Sequence, residues 1–302
     1  MATSEVGLAE PRSNHLLWQR YLELTKPRVL ALVLFAALVG MLLASPGMVP
    51  LSTLCFGLLG IELSAAAGAA INHVVDQRID TLMDRTRGRP LPSGDLNARR
   101  AVAFALGLAV MSMVILVVFV NPLTALLTFA AFIGYAVVYT MYLKQATPHN
   151  IVWGGISGAM PPLLGWTAVT GEIAVEGLLL ALLVFIWTPP HFWALAIKRR
   201  DEYARAGVPM LPVTHGLAYT KLQILIYSLL LLWVSLMPFM IHMSGLLYLV
   251  GALGLGLGFV YQAVRLFRSE GDARAMQTFN YSVLYLAALF ALLLADHYLG
   301  AA

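Results

Sequence analysis

A chain of 302 residues that is 60% hydrophobic and only 11% charged is excluded from the ordinary water-soluble class, where about 25% of residues carry charge. With a mean hydropathy of +0.81 it reads as an integral membrane protein with little room for a soluble domain. Its one cysteine, Cys55, lies in an apolar run, which excludes an intrachain disulfide or a cysteine-based metal site.

Residues 1–28 are polar and include Glu5, Glu10 and Glu23. They resemble neither a cleavable signal nor an Arg-rich, acid-poor presequence, and are expected to form a cytoplasmic amino-terminal segment. Residues 29–302 are expected to be one intramembrane domain. Nine apolar runs approach the length of about 20 residues that a bilayer requires. They lie near 29–44, 51–75, 101–120, 123–143, 151–169, 175–197, 222–243, 246–267 and 279–297. The segments before run 1 and between runs 2–3, 4–5, 6–7 and 8–9 hold 4, 6, 1, 5 and 3 Lys/Arg, which are all 19 in the chain. Such alternation is what the positive-inside rule requires. It predicts an all-α membrane protein of nine transmembrane helices, with the amino terminus in the cytoplasm and the carboxyl terminus outside.

The densest chemistry follows run 2. The stretch 71–92, INHVVDQRIDTLMDRTRGRPLP, holds three aspartates, four arginines and an asparagine. Asn72, Asp76, Asp80 and Asp84 recur every four residues, a spacing that drifts only about 40° and ~6 Å per step on a helix. The first three would line one face. Clustered carboxylates at the mouth of a membrane helix need a neutralising cation. Oxygen ligands suit a hard divalent ion, and Mg²⁺ commonly takes one or two carboxylates together with substrate phosphates. Arg78, Arg85, Arg87 and Arg89 stand close by, and guanidinium groups suit phosphate oxygens. The stretch therefore reads as a site for a metal-bound diphosphate, against the plainer reading of a solvated loop. His73 falls about 100° from Asn72 and need not share its face. Glu62, an acid inside run 2, is expected to face the bundle interior.

Between runs 4 and 5, Lys144 is the only cation of its loop, equally suited to anchoring a helix end and to binding phosphate. Pro189 and Pro190 are expected to break or kink run 6. Beyond them His191, Lys198 and Glu202 recur at i, i+7 and i+11, with Asp201 beside them, a stripe able to meet an anion or a second cation. Arg199 and Arg200 read as topology determinants. The aromatics Tyr139, Tyr142, Trp153, Trp166, Trp187, Phe192 and Trp193 would by default pack toward lipid or the interface, although some could stabilise a cation in a cavity.

These strings resemble a known family. NHVVDQRID fits the N-x-x-x-D-x-x-x-D pattern of the UbiA-type intramembrane prenyltransferases. LTKPRV (24–29), DRTRGRPLPSG (84–94), YTMYLK (139–144) and HFWALAIKRRDEYARAGVPMLPV (191–213) are similar to its haem-farnesylating branch, over nearly the whole chain. The resemblance implies nine helices around a central cavity and Mg²⁺ bridging farnesyl diphosphate to Asn72, Asp76 and Asp80, with Asp201 and Glu202 as the residue of a second acidic motif. It implies Arg85, Arg89, Lys144 and Lys198 on the diphosphate, and Lys198 and Asp201 among the catalytic groups. His191 and Trp193 fall on the haem side, with His191 at the iron, at the propionates or at a proton. The implied substrates are farnesyl diphosphate and haem b. The implied setting is the lipid bilayer of a bacterial inner membrane, with a haem a synthase or terminal oxidase assembly as candidate recipient and no nucleic acid. HFWALAIK in place of an aspartate-rich second motif speaks against a quinone or chlorophyll precursor as acceptor. Charge gathered at one membrane face speaks against a transporter, whose site lies near the midplane.

Overall fold

In the computed structural model, which describes residues 17–300, the chain is helical almost throughout. The first 16 residues of the expected amino-terminal segment lie outside the described residues. α1 (Leu17–Leu24) meets α2 (Pro27–Leu43) at a bend of 49°. α3 (Leu51–Val75) runs into the short α4 (Gln77–Thr81), and α5 (Ala98–Phe119) follows a folded loop. α6 (Pro122–Ile133) continues as a π-wound segment (Gly134–Leu143) and α7 (Lys144–Ala146). α8 (Asn150–Gly158) and α9 (Pro161–Thr170) precede α10 (Val175–Lys198). Two short helices, α11 (Arg200–Arg205) and α12 (Leu211–Thr214), lead to α13 (Gly216–Met240), α14 (Leu246–Arg268) and α15 (Ala275–Gly300).

Among the described residues, seven helical stretches are long and apolar enough to cross a membrane, or eight if the bent pair α1 and α2 counts as one. The expected count of nine is not met, because run 151–169 is divided. Its second half opens on Pro161 and Pro162, which have no amide hydrogen to continue the hydrogen-bond ladder of α8. Run 6 was expected to break or kink, and the break does not occur. α10 passes through Pro189 and Pro190 without a break, although the carbonyls of Phe185 and Ile186 lose their usual donors there. Directly before them, the Thr188 hydroxyl donates to the Val184 carbonyl at 2.7 Å.

The helices present apolar surface outward as well as inward. On α5, Leu106, Val110, Val114 and Val117 form an exposed stripe, while Ala101, Ala105, Ser112 and Leu116 are buried toward α3. An outward apolar stripe of this length is stable in hydrocarbon and would be a liability in water. The contacts within the bundle rely on small residues. The Ser112 hydroxyl donates to the Gly60 carbonyl at 2.6 Å, and a Cβ at Gly60 would strike Leu116. α2 and α9 come closer still: a Cβ on Gly40 would land on the Pro162 carbonyl oxygen, and one on Gly165 on that of Ala37. Gly165→Ala should therefore lower thermal stability in detergent by the usual overpacking cost of about 1–3 kcal/mol or more. Gly107→Ala, at a position with no neighbour within 4 Å, should leave it unchanged or slightly raised. Equal melting temperatures for the two variants would contradict this account of the α2–α9 crossing.

Among the described residues the core falls into four buried clusters, two of which hold most of it. The larger joins α2, α10, α13, α14 and α15 through Leu180, Leu183, Tyr248, Phe259, Tyr285 and Phe290. The smaller gathers Trp193, Ile197, Met210 and Leu211 under the α11–α12 connection. Between α2, α3, the π segment, α8 and α10 lies a cavity of about 340 Å³.

Candidate functional site

α3 ends just where its sequence turns polar. Asp76 follows its last residue with φ −79° and ψ 0° and caps both α3 and α4. The i,i+4 backbone ladder survives this joint: the Asp76 amide donates to Asn72 and the Asp80 amide to Asp76, at 2.9 and 2.8 Å. Asn72, Asp76 and Asp80 are thus kept in register, and all three are buried. After Thr81 the chain leaves the helix, so Asp84 turns outward, with its side chain 75% exposed between Arg87 and Arg205.

Each of the three inward groups meets a cation from a different part of the chain. Lys26, at the α1–α2 bend, donates to the Asn72 Oδ1 at 2.5 Å. Lys144, at the end of the π segment, reaches the Asp76 Oδ2 at 2.5 Å, and the Asn72 amide donates to the same oxygen at 2.8 Å. Arg89 grips both oxygens of Asp80 at 2.9 and 2.8 Å. The loop that carries Arg89 is tied back by the Thr86 hydroxyl, which donates to the Asp80 carbonyl at 2.9 Å. The other oxygen of Asp76, Oδ1, is buried with no hydrogen-bond partner. Both ring nitrogens of His73 are likewise buried and unpartnered.

The π winding serves this arrangement. Tyr135 and Tyr139 stack at 5.7 Å and line the cavity, and the Asn72 amide lies 3.5 Å from the Thr140 hydroxyl. Lys144 follows directly. Departures of this kind from α-helical winding are frequent at functional sites. Lys26 and Thr25 line the cavity beside these tyrosines, whereas Ile61, Phe132, Trp187 and Leu286 give it apolar walls.

The second predicted stripe does not gather on one ligand. α10 ends at Lys198, Arg199 (φ −107°, ψ 20°) joins it to α11, and the side chains of His191, Lys198 and Glu202 meet different partners. His191 is buried between Trp187 and Phe279, at ring distances of 4.2 and 4.6 Å, and its Nδ1 lies 2.6 Å from the Ser282 hydroxyl. Trp193 is packed into the smaller core cluster, edge-on to Tyr227. Neither residue lines the cavity; Trp187, Thr188 and Phe192 do. Lys198 turns to Asp272 at 2.9 Å and holds that carboxyl below its ordinary range, through its hydrogen bond and its charge. Glu202 faces Arg85 at 4.0 Å, and Asp201 is exposed. Among the described residues no three His, Cys, Asp or Glu side chains converge on one point, so Asp201 and Glu202 stand apart from Asp76 and Asp80.

Lys26 is the principal site residue that the sequence did not single out. Its φ of +55° is in the left-handed region, unfavourable for any residue with a Cβ, and a following proline disfavours helical backbone further. Its place before Pro27, at the start of the first apolar run and inside the family-like string LTKPRV, was the signal that could have found it.

Comparison with known proteins agrees with this geometry. Residues 33–293 match the UbiA prenyltransferase family. The chain belongs to that family. It is 64% identical over 298 residues to a protoheme IX farnesyltransferase of Thioalkalivibrio sulfidiphilus, covering 99% of this chain and 98% of the relative. A protoheme IX farnesyltransferase of Nitrosococcus oceani is 59% identical over 282 residues, 93% of this chain and 94% of that one. Solved structures of the UbiA fold superpose despite low identity. One is a digeranylgeranylglyceryl phosphate synthase (TM-score 0.80, 18% identity, 93% and 99% of the two chains). Another is a UbiA homolog from Archaeoglobus fulgidus bound to GPP and Mg²⁺ (TM-score 0.66, 19% identity, 91% and 99%). The chain is thus a prenyltransferase and a multi-pass membrane protein, and of the acidic group and its cations it is Lys26 that lines the apolar cavity.

Proposed function

We propose that this enzyme transfers the farnesyl group of farnesyl diphosphate to a vinyl group of protohaem IX, with addition of water, giving haem o and diphosphate. The observation that carries the reading is the buried Asn72–Asp76–Asp80 group with its three cations, set against an apolar cavity in a chain so close to protoheme IX farnesyltransferases. A quinone precursor as acceptor is less well supported, because those relatives match over nearly the full chain.

The residues fit one Mg²⁺ ion. The donors are hard oxygens, and the orphaned Oδ1 of Asp76 is a buried acceptor in want of a partner. Asn72, Asp76 and Asp80 would hold the ion, which when bound supplies Lewis-acid stabilisation of charge on the leaving phosphate oxygens. Asp201 and Glu202 act at one remove in this reading, Glu202 by orienting Arg85. Lys26, Lys144 and Arg89 accept the diphosphate's negative charge as the carbon–oxygen bond breaks and its electron pair leaves with oxygen. The farnesyl carbon left electron-poor is shielded from water by the apolar walls, and the faces of Tyr135, Tyr139 and Trp187 offer it π density. The vinyl π electrons then form the new carbon–carbon bond, and water adds to the resulting cation with loss of a proton.

The topology belongs to the same proposal. If α8 and α9 together serve as the fifth segment, the chain has nine segments, and the distribution of Lys and Arg in the sequence supports the positive-inside arrangement. In this reading the amino terminus and the acidic site face the cytoplasm, in a bacterial inner membrane, with residues 29–302 as one domain. A haem a synthase or oxidase assembly would take the product. Purified protein incubated with haem b, farnesyl diphosphate and Mg²⁺ should yield a farnesylated haem and one equivalent of diphosphate, and chelation of the metal should stop both. Formation of a prenylated quinone precursor with no haem product would replace the acceptor assigned here.

A further inference from the structure

α1 carries no group of the acidic site, yet the chain leaves it through Lys26. The Thr25 amide and hydroxyl both donate to the Leu22 carbonyl, at 3.1 and 2.7 Å, and the Lys26 amide donates to the Glu23 carbonyl at 3.2 Å. Lys26 is thus strapped to the last turn of α1. Its ammonium has one hydrogen-bond partner among the described residues, the uncharged Asn72 Oδ1. Lys144 and Arg89, by contrast, each meet a carboxylate. Of the three cations, Lys26 is therefore the one whose place depends most on the segment that bears it.

That segment is fastened to the loop after α4. Arg20 is buried and reaches the Asp95 carboxylate at 2.5 Å, and the Ser93 hydroxyl donates to the same oxygen at 2.8 Å. Beside this pair Leu24 is buried in one cluster with Leu91 and Leu96, and the ring of Tyr21 lies 5.0 Å from that of Phe104. The loop is in turn held to the acidic helices. Arg89 grips Asp80, and the Gln77 side-chain amide donates to the Leu91 carbonyl at 3.3 Å. Turn bonds from the Ser93 amide to the Arg89 carbonyl and from the Leu96 amide to the Pro90 carbonyl, both 3.0 Å, carry this fixed frame to Asp95. Contacts thus run from Asp80 through the loop to Asp95, cross to Arg20, and return to the site at Lys26. Glu23 also accepts from Arg20, at 3.1 Å, but it lies within α1 and ties nothing to the loop.

We infer that the Arg20–Asp95 pair is a positioning clamp: it registers α1 against the loop so that Lys26 meets the diphosphate, which rests on the reading above that Lys26 serves that group. An ion pair this close to solvent contributes little to stability, so its loss should show in the site and not in the fold. It is tested with the full chain in detergent, Mg²⁺, farnesyl diphosphate and haem b. Asp95→Asn should raise the Michaelis constant for farnesyl diphosphate about tenfold, as expected of a displaced binding group. The constant for haem should not change. Arg20→Met, which keeps an apolar stem, should behave alike, and the double variant should lose no more than either single one. In a Lys26→Gly background Asp95→Asn should have no further effect. Glu23→Gln removes the same charge without loosening the loop and should stay within about twofold of the parent.

Additive losses in the double variant, an undiminished effect of Asp95→Asn in Lys26→Gly, or an equal loss in Glu23→Gln would overturn the clamp. So would a fall in rate with both Michaelis constants unchanged, the mark of a smaller folded fraction. Calorimetric binding of farnesyl diphosphate without haem should weaken about tenfold in Asp95→Asn. Should it do so in a protein that makes no farnesylated haem, the acceptor assignment falls and the clamp stands. Unchanged binding in a protein that farnesylates haem removes the clamp and leaves the reaction.

Discussion

Asp76→Asn should reduce farnesyl transfer by a factor of about 10³ while leaving the protein folded. The carboxylate is 3% exposed and gathers the Asn72 amide and the Lys144 ammonium on one oxygen, with the other unpartnered. An amide of the same shape preserves the packing and loses the charge. Loss of one preorganised group aimed at developing charge costs about 10²–10³ in rate, and a weakened metal site adds to that. Asp76→Ala is the less clean variant, since it also removes the oxygen that accepts from the Asn72 amide and the Lys144 ammonium and leaves a cavity. Diphosphate release and haem product should fall together in the Asn variant, with its melting temperature within a few degrees of the parent. Diphosphate release within tenfold of the parent would remove Asp76 from the site.

The parts of this site that the sequence disclosed are those with local spacing. Asn72, Asp76 and Asp80 sit four residues apart, and the ladder across the Asp76 joint keeps them in register even though one helix ends and another begins there. Asp84, which shares the spacing but is not expected on that face, turns outward because the chain leaves the helix after Thr81. His191, Lys198 and Glu202 read as one stripe and instead meet different partners, Ser282, Asp272 and Arg85. Spacing along a helix says which side chains can meet and not which neighbours other segments bring to them. At Pro189 and Pro190 the sequence suggests a break or a kink, and α10 runs through both without a break.

Other features have no signature in a linear reading. Nothing in GYAVVYTMYL distinguishes π from α winding, yet this segment aims Tyr135, Tyr139 and Lys144 at the site. Apolar runs were located well, with 51–75 and 175–197 matching α3 and α10 closely, because lipid-facing surface must be apolar wherever helices cross. The break inside 151–169 was missed because Gly and Pro are common in membrane helices. Only the backbone shows that Pro161 and Pro162 open a new helix.

Lys26 supplies the sharpest test, because stability and activity should separate. The residue is held at φ +55° before a proline, a conformation that costs about 1–3 kcal/mol for a residue with a side chain. Glycine adopts it freely. Lys26→Gly should therefore fold at least as stably as the parent, even though it loses the contact with Asn72. A residue kept only for structure would not be a lysine here, since its ammonium is directed at a polar group 46 residues away, beside Lys144 and Arg89. Removing that charge takes away one of three cations facing the leaving group, and transfer should fall about 10²-fold. The Michaelis constant for farnesyl diphosphate should rise in the same variant. Lys26→Arg should recover part of the rate, since charge returns while the reach of the side chain changes. If Lys26→Gly kept its full rate, the strained backbone would have to be explained by the α1–α2 bend alone. If it lost both rate and stability, the lysine would be holding the helix pair together and not serving the diphosphate.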